Sequence, residues 1–312
     1  MLASSFWGRV QLNAVLDLVK EQAVSDRAPA SLTGLLAIAA IGTIAAFASL
    51  NYAYHYEVLP SWISRSAAGY FVAVQLPFGI ILPSILLGLR ARQPGTYLSG
   101  VGVRLSARGM VGAVAALIVG ALAVIVALGV QELTNVGLAR LGALFAQLLV
   151  ASTAEVLVFT GLLFGVARGW CRGLGRCEMP VAMLISALGF GLFHFTYPPP
   201  WAAWSIAFGL TAVWIVVNLV FLMTHALLAA VLFNNCMAMI GFVQNNLTLP
   251  MGVPFSLASW LIAAGIGLGV LVALSRGAPM RRSNKRMEPT GMQNLDRRRR
   301  RCAGRWAASG LP

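Results

Sequence analysis

Two ionisable side chains, Glu155 and His194, lie far inside long apolar stretches of the sequence. In a continuous helix, Glu155 would lie about 20 Å from Arg168, which is the next cation along the chain. On the same basis, His194 would lie about 24 Å beyond Glu178. A buried carboxylate beside an imidazole can polarise a water molecule for attack on a carbonyl carbon. The pair therefore indicates hydrolytic chemistry, provided that the two helices that carry it pack side by side.

The composition indicates what surrounds this pair. Of the 312 residues, 59% are hydrophobic and 10% are charged, and the mean hydropathy is +0.80. A soluble domain carries about 25% charged residues because its surface faces water. We therefore predict an integral membrane protein of the all-α class, a polytopic bundle of about eight transmembrane helices. A charged group at mid-bilayer costs about 2.5–3.5 kcal/mol, so Glu155 and His194 are expected to face the bundle interior.

The apolar stretches divide the chain into three parts. Residues 1–31 have near-helical apolar spacing and are predicted to form an amphipathic segment on the membrane surface. Residues 32–275 are predicted to form the bundle, and the basic residues 276–312 a disordered tail. The predicted spans are roughly 32–50, 68–90, 109–131, 141–167, 180–197, 201–223, 226–243 and 254–275.

Lysine and arginine are distributed unevenly over the connections between these spans. The connections on one side of the membrane hold Arg65 and Arg140, whereas those on the other side are rich in Lys and Arg. Because an excess of these residues marks the cytoplasmic side, we predict a bacterial-type inner membrane protein with both termini in the cytoplasm. The tail, with its run Arg297–Arg301, is expected to contact anionic lipid.

Three short motifs resemble the signatures of the CAAX prenyl endopeptidase and bacteriocin-processing family of intramembrane proteases. Residues 155–161 (EVLVFTG) resemble its first signature, E-E-x-x-x-R-G, and residues 190–194 (FGLFH) match its second, F-x-x-x-H. Residues 234–238 (NNCMA) align with its third, H-x-x-x-N. The resemblance covers about residues 140–245, and the order and spacing of the motifs make it more specific than any one motif.

The resemblance implies a role for each matching position. Glu155 corresponds to the glutamate that acts as general base, and His194 to its histidine partner. Asn234 stands at the third-signature histidine and is a candidate oxyanion donor. These three are the predicted catalytic residues.

The chain departs from the signatures at four polar positions. Val156 replaces the second glutamate and Thr160 the arginine, which removes a supporting charge pair. Asn234 replaces a histidine and Ala238 an asparagine. Loss of one oxyanion donor lowers turnover by about 10² to 10³. Two functions therefore stay open: an intramembrane endopeptidase with degraded motifs, or an inactive relative that acts as a membrane scaffold or binds peptides.

The same residues also have purely structural interpretations. Glu155 is then a protonated acid that bonds to a neighbouring helix, and His194 a satisfied interior histidine. Asn234 and Asn235 can simply cross-link helices, as polar residues in membranes often do. The pattern also places His55 in an exposed outer loop without a role.

No cofactor or metal is predicted. The sequence lacks H-E-x-x-H, and catalytic zinc needs three protein ligands. The expected partners are the lipid bilayer and a peptide or membrane-associated protein substrate. No folded nucleic-acid-binding motif is present, so nucleic acid is not an expected partner.

Overall fold

The computed structural model describes residues 30–91 and 107–246. Within these ranges the chain is helical and contains no strand, which confirms the predicted all-α class. The predicted surface segment 1–31, the eighth span at 254–275 and the basic tail lie almost wholly outside the described residues. Their boundaries and the binding of lipid by the tail stay predictions.

Ten α-helices and two π-helical segments form the part of the chain that the structure describes. Single turns of 3-10 helix lie at Gly175–Cys177 and His194–Thr196. In chain order the larger elements are α1 (Ala30–His55), α2 (Ser61–Ser64), α3 (Ala67–Tyr70), π1 (Phe71–Ile81), α4 (Leu82–Ala91), α5 (Ala107–Val136), α6 (Leu138–Glu155), π2 (Val156–Leu163), α7 (Phe164–Trp170), α8 (Glu178–Phe193), α9 (Trp204–Thr224) and α10 (Leu227–Asn246).

Six helical stretches within the described ranges are long and apolar enough to cross a membrane. They correspond to the first six predicted spans, and the shorter apolar helix Leu227–Val243 corresponds to the seventh. The six stretches are Gly34–His55, Ala67–Arg90, Gly109–Val130, Leu138–Trp170, Gly175–Thr196 and Trp204–Thr224. The protein is thus a polytopic membrane bundle.

The distribution of side chains is the reverse of that in a soluble protein. Leu35, Ile38 and Val111 are each about 70% exposed on the outer surface of the bundle. The amides of Asn51 and Asn218, by contrast, belong to fully buried residues. A surface this apolar is stable against hydrocarbon, and lipid therefore explains the arrangement.

Both π-helical segments lie beside the residues that the sequence singled out. Pro77 lies inside π1 and has no N–H for regular helical hydrogen bonding. The second segment, π2, starts directly after Glu155. A Cβ added at Gly79 of π1 would lie 2.6 Å from the Cβ of Ala154. Glycine therefore lets π1 approach α6 closely beside Glu155.

Candidate active site

One cavity of about 670 Å³ is lined by all three predicted catalytic residues. Glu155 reaches it from the end of α6, His194 from the turn after α8, and Asn234 from α10. Ala238, one turn after Asn234, also lines the cavity. The carboxylate and the imidazole therefore line the same cavity, as the proposed hydrolytic chemistry requires.

Glu155 and Asn234 are joined directly. The Asn234 Nδ2 donates a hydrogen bond to the Glu155 Oε2 over 3.0 Å. Asn234 is buried, and Glu155 is half-buried because one side of it faces the cavity. The contact ties α6 to α10 and orients the carboxylate. The partner of Glu155 at the third-signature position is therefore an amide, where the resembled family has an imidazole.

His194 is held in one orientation by its own turn. Its Nδ1 lies 3.0 Å from the Phe190 carbonyl oxygen. Because a carbonyl only accepts, Nδ1 carries the hydrogen in this contact, and the lone pair of the neutral ring is on Nε2. The ring lies edge-on to Phe190 at 4.6 Å between centroids and stacks on Tyr197 at 5.3 Å. His194 is thus a buried imidazole with one nitrogen left for proton transfer.

The two adjacent asparagines have different surroundings. Asn235 accepts a hydrogen bond from the Ser152 hydroxyl at 3.1 Å and donates to the Phe145 carbonyl oxygen at 2.9 Å. Both asparagines cross-link helices, which is the structural alternative that the sequence offered for them. Asn234 differs because it faces the cavity and contacts Glu155.

A neutral hydrogen-bond network includes Thr160, which stands where the resembled signature has an arginine. The Thr160 hydroxyl donates to the Asn218 Oδ1 at 2.9 Å, and the Asn218 Nδ2 donates to the Ser186 hydroxyl at 3.3 Å. Ser186 in turn donates to the Phe159 carbonyl oxygen at 2.8 Å. Val156 is fully buried. This network joins π2, α8 and α9. It could not be predicted from the sequence because its members lie far apart along the chain.

The sequence was wrong about His55, which does not lie in an exposed loop. It is the last residue of α1, is half-buried, and lines the cavity. Its ring lies 4.6 Å from that of Tyr197 and 4.9 Å from that of Tyr54. The sequence did contain a signal, because Asn51 and His55 are one turn apart and share a helix face.

Among the residues that the structure describes, no three His, Cys, Asp or Glu side chains form a group that could hold a metal ion. The cavity is lined by one carboxylate, two imidazoles and three side-chain amides within mostly apolar and aromatic walls. Such a set can hold and polarise a water molecule beside a peptide carbonyl.

Comparison with known families agrees with these motifs. Residues 137–240 match the family model described as "Type II CAAX prenyl endopeptidase Rce1-like". The matched stretch contains Glu155, His194 and Asn234, while α1 to α5 lie outside it. No curated protein and no solved structure matches the chain.

Proposed function

We propose that this chain, which carries a CAAX protease-like domain of the Rce1-like type over residues 137–240, is an intramembrane endopeptidase. It would hydrolyse peptide bonds of membrane-associated substrates. Members of this family are peptidases, and the apolar bundle supports a location in the membrane, where such substrates lie.

In the proposed mechanism, one water molecule lies between Glu155 and His194. The Glu155 carboxylate takes a proton from this water, and the water oxygen attacks the carbon of the scissile carbonyl. His194 bonds to the same water through Nε2 and keeps it aligned. When the tetrahedral intermediate collapses, the C–N bond breaks and Glu155 returns the proton to the leaving nitrogen.

Asn234 has two tasks in this proposal. One N–H of its amide orients the Glu155 carboxylate, and the second N–H is the donor to the developing oxyanion. Ala238 supplies a methyl group where the family pattern has an amide, so one donor is missing. We therefore expect turnover about 10² to 10³ below that of an enzyme with both donors.

A single observation supports the proposal most strongly. A carboxylate from α6 and an imidazole from the turn after α8 line the same cavity, although Glu155 and His194 are 39 residues apart in the sequence. The carboxylate also accepts a hydrogen bond from Asn234, which orients it.

The test compares peptide cleavage by four purified proteins in detergent micelles. A quenched fluorescent peptide library is incubated with wild type, Glu155→Gln, His194→Ala and Glu57→Gln. Glu57 is a matched control, because it is an exposed glutamate paired with Arg65 and does not line the cavity. We expect wild type and Glu57→Gln to cleave, and both cavity variants to lose cleavage. Equal cleavage by all four would exclude the proposed site.

A second candidate function is peptide binding without hydrolysis. The methyl group of Ala238 in the cavity wall favours it, because a binding protein needs no oxyanion donor. Fluorescence anisotropy with labelled peptides of the same library separates the two functions. Binding by wild type with no turnover at any peptide concentration would favour the binding protein.

We also propose that the protein lies in the inner membrane with both termini in the cytoplasm. The uneven distribution of Lys and Arg between the two sets of connections supports this orientation. Reporter fusions after Arg65 and after Arg172 test it, since we expect only the second fusion to report a cytoplasmic position.

A further inference from the structure

One stripe of α1 packs against the turn that carries His194. Its three members, Phe47, Asn51 and His55, recur at every fourth position, so they share one face of the helix. We call these three residues the α1 stripe. All of it lies outside the stretch that matches the family model.

Each member of the α1 stripe contacts a different residue around His194. Phe47 stacks on Phe193, which directly precedes His194, with 5.2 Å between ring centroids and 11° between planes. His55 lies 4.6 Å from the ring of Tyr197, and Tyr197 itself stacks on His194.

The middle member, Asn51, forms the polar contact of the stripe. Its Nδ2 donates to the Thr196 hydroxyl at 2.6 Å, and Thr196 donates onward to the Phe193 carbonyl oxygen at 2.7 Å. The Tyr70 hydroxyl donates to the Asn51 Oδ1. Asn51 is fully buried, so both ends of its amide are bonded away from water.

We infer that Asn51 is a positioning residue for His194 and acts through Thr196. Thr196 belongs to the same single 3-10 turn as His194, so the hydrogen bond from α1 fixes the end of that turn. The stacked pair Phe47–Phe193 fixes its start. Between these two points the imidazole has one orientation relative to the cavity. The inference rests on the proposed function of His194.

The chemical reason is that a small displacement of a catalytic group greatly lowers the rate of the reaction. A displacement of about 1 Å can lower turnover by about 10²-fold without weakening substrate binding. Removal of Asn51 leaves the Thr196 and Tyr70 hydroxyls with one hydrogen bond fewer each, and the turn is then free to shift. Because Asn51 acts on His194 and not on peptide, the effect belongs to kcat and not to KM.

The first experiment compares Asn51→Leu with Asn218→Leu. Asn218 is an equally buried asparagine that also joins helices by hydrogen bonds, but its partners are Thr160 and Ser186 and not the turn of His194. We expect both variants to lower the unfolding temperature. Only Asn51→Leu should also lower kcat, by about 10- to 100-fold, with KM within about twofold of wild type. Equal loss of kcat in both variants would reduce Asn51 to a structural role and overturn the inference.

Two variants of the partner residue test the hydrogen bond itself. Thr196→Val removes the hydroxyl with little change of shape, and Thr196→Ser retains it. Thr196→Val should lower kcat as Asn51→Leu does, whereas Thr196→Ser should keep most of the activity. The double variant Asn51→Leu with Thr196→Val should lose no more than either single variant, because both remove one interaction. Additive losses would contradict the inference.

A second readout does not depend on cleavage. Diethylpyrocarbonate modifies accessible imidazoles, and mass spectrometry of the peptide that contains residue 194 gives the rate for His194 alone. We expect this rate to rise several-fold in Asn51→Leu and to stay at the wild-type value in Asn218→Leu. If the rise is found in a protein that cleaves no peptide, the proposed function fails and the positioning of His194 stands. An unchanged rate in Asn51→Leu overturns the inference, whether or not the protein cleaves peptides.

Discussion

Two polar regions follow one another along a single helical stretch, and they are built differently. At the end of α6, Glu155 lines a cavity and accepts a hydrogen bond from Asn234 on another helix. In π2, Thr160 lies in packed surroundings and bonds to Asn218. The ionisable group lines the cavity, whereas the neutral groups are packed between helices.

The difference follows from the cost of burying charge. An ionised side chain left alone in a dry interior is destabilising, and removal of both members of a buried pair is often neutral or stabilising. Val156 and Thr160 stand where the resembled signature has such a pair, and the Thr160 hydroxyl donates to Asn218 instead. In this chain π2 is held by neutral hydrogen bonds, and the carboxylate lines the cavity.

The largest expected effect separates the two regions by activity. Glu155→Gln is nearly isosteric and keeps an oxygen that can accept from Asn234, so folding should be preserved. We expect kcat to fall by about 10² to 10⁴, the usual contribution of a general base. Steady-state cleavage of the best library peptide measures it, with the unfolding temperature as control. Unaltered kcat would move the chemistry away from Glu155.

The next effect is a gain at the position of the missing donor. Ala238→Asn introduces an amide one turn after Asn234, facing the same cavity. We expect kcat to rise by at least about tenfold, because one oxyanion donor is worth about 10² to 10³ when well aligned. Ala238→Val is the matched control, since it adds volume but no donor. A similar change in both variants would mean that volume, not hydrogen bonding, matters there.

A smaller effect concerns stability in the packed region. Thr160→Val removes the donor to Asn218 and leaves a buried amide oxygen without that hydrogen bond. We expect the free energy of unfolding to fall by about 1–3 kcal/mol, while kcat per folded molecule stays at the wild-type value. Thermal or denaturant unfolding in detergent measures the first quantity. Loss of kcat would show that the two regions are coupled.

A last effect, of similar size, tests the close approach of π1 to α6. In Gly79→Ala, the new methyl group would lie 2.6 Å from the Cβ of Ala154, so one backbone must move. We expect a loss of about 1–3 kcal/mol in stability and a modest fall in kcat, because Glu155 follows Ala154 directly. Gly88→Ala, which meets nothing within 4 Å, is the control and should be neutral or slightly stabilising. Equal behaviour of both variants would mean that π1 moves freely.

The fold class followed from the sequence because hydropathy reports directly on the solvent. Six of the predicted spans coincide with helices long enough to cross a membrane, and the seventh with the apolar helix α10. The family resemblance also followed from short motifs, and the match over residues 137–240 agrees with it. These features depend on residue type and on separation along the chain, both of which the sequence contains.

The hydrogen-bond partners of the interior polar side chains could not be predicted from the sequence. Asn234 and Asn235 are adjacent and identical in type, yet one contacts Glu155 and the other the Phe145 carbonyl oxygen. His55 appeared to be a loop residue, although it lines the cavity. Hydropathy gives the face of a helix only as an average, and it does not fix the rotation of one helix against its neighbours.

The sequence alone therefore determined that this chain is a helical membrane bundle with a carboxylate and an imidazole in its apolar interior. Only the tertiary structure decided that both line one cavity, that Asn234 orients the carboxylate, and that α1 packs against the turn of His194. The physical reason is range. Burial and helix formation follow from residues within a few turns, whereas contacts between helices depend on packing of side chains that are distant in the chain.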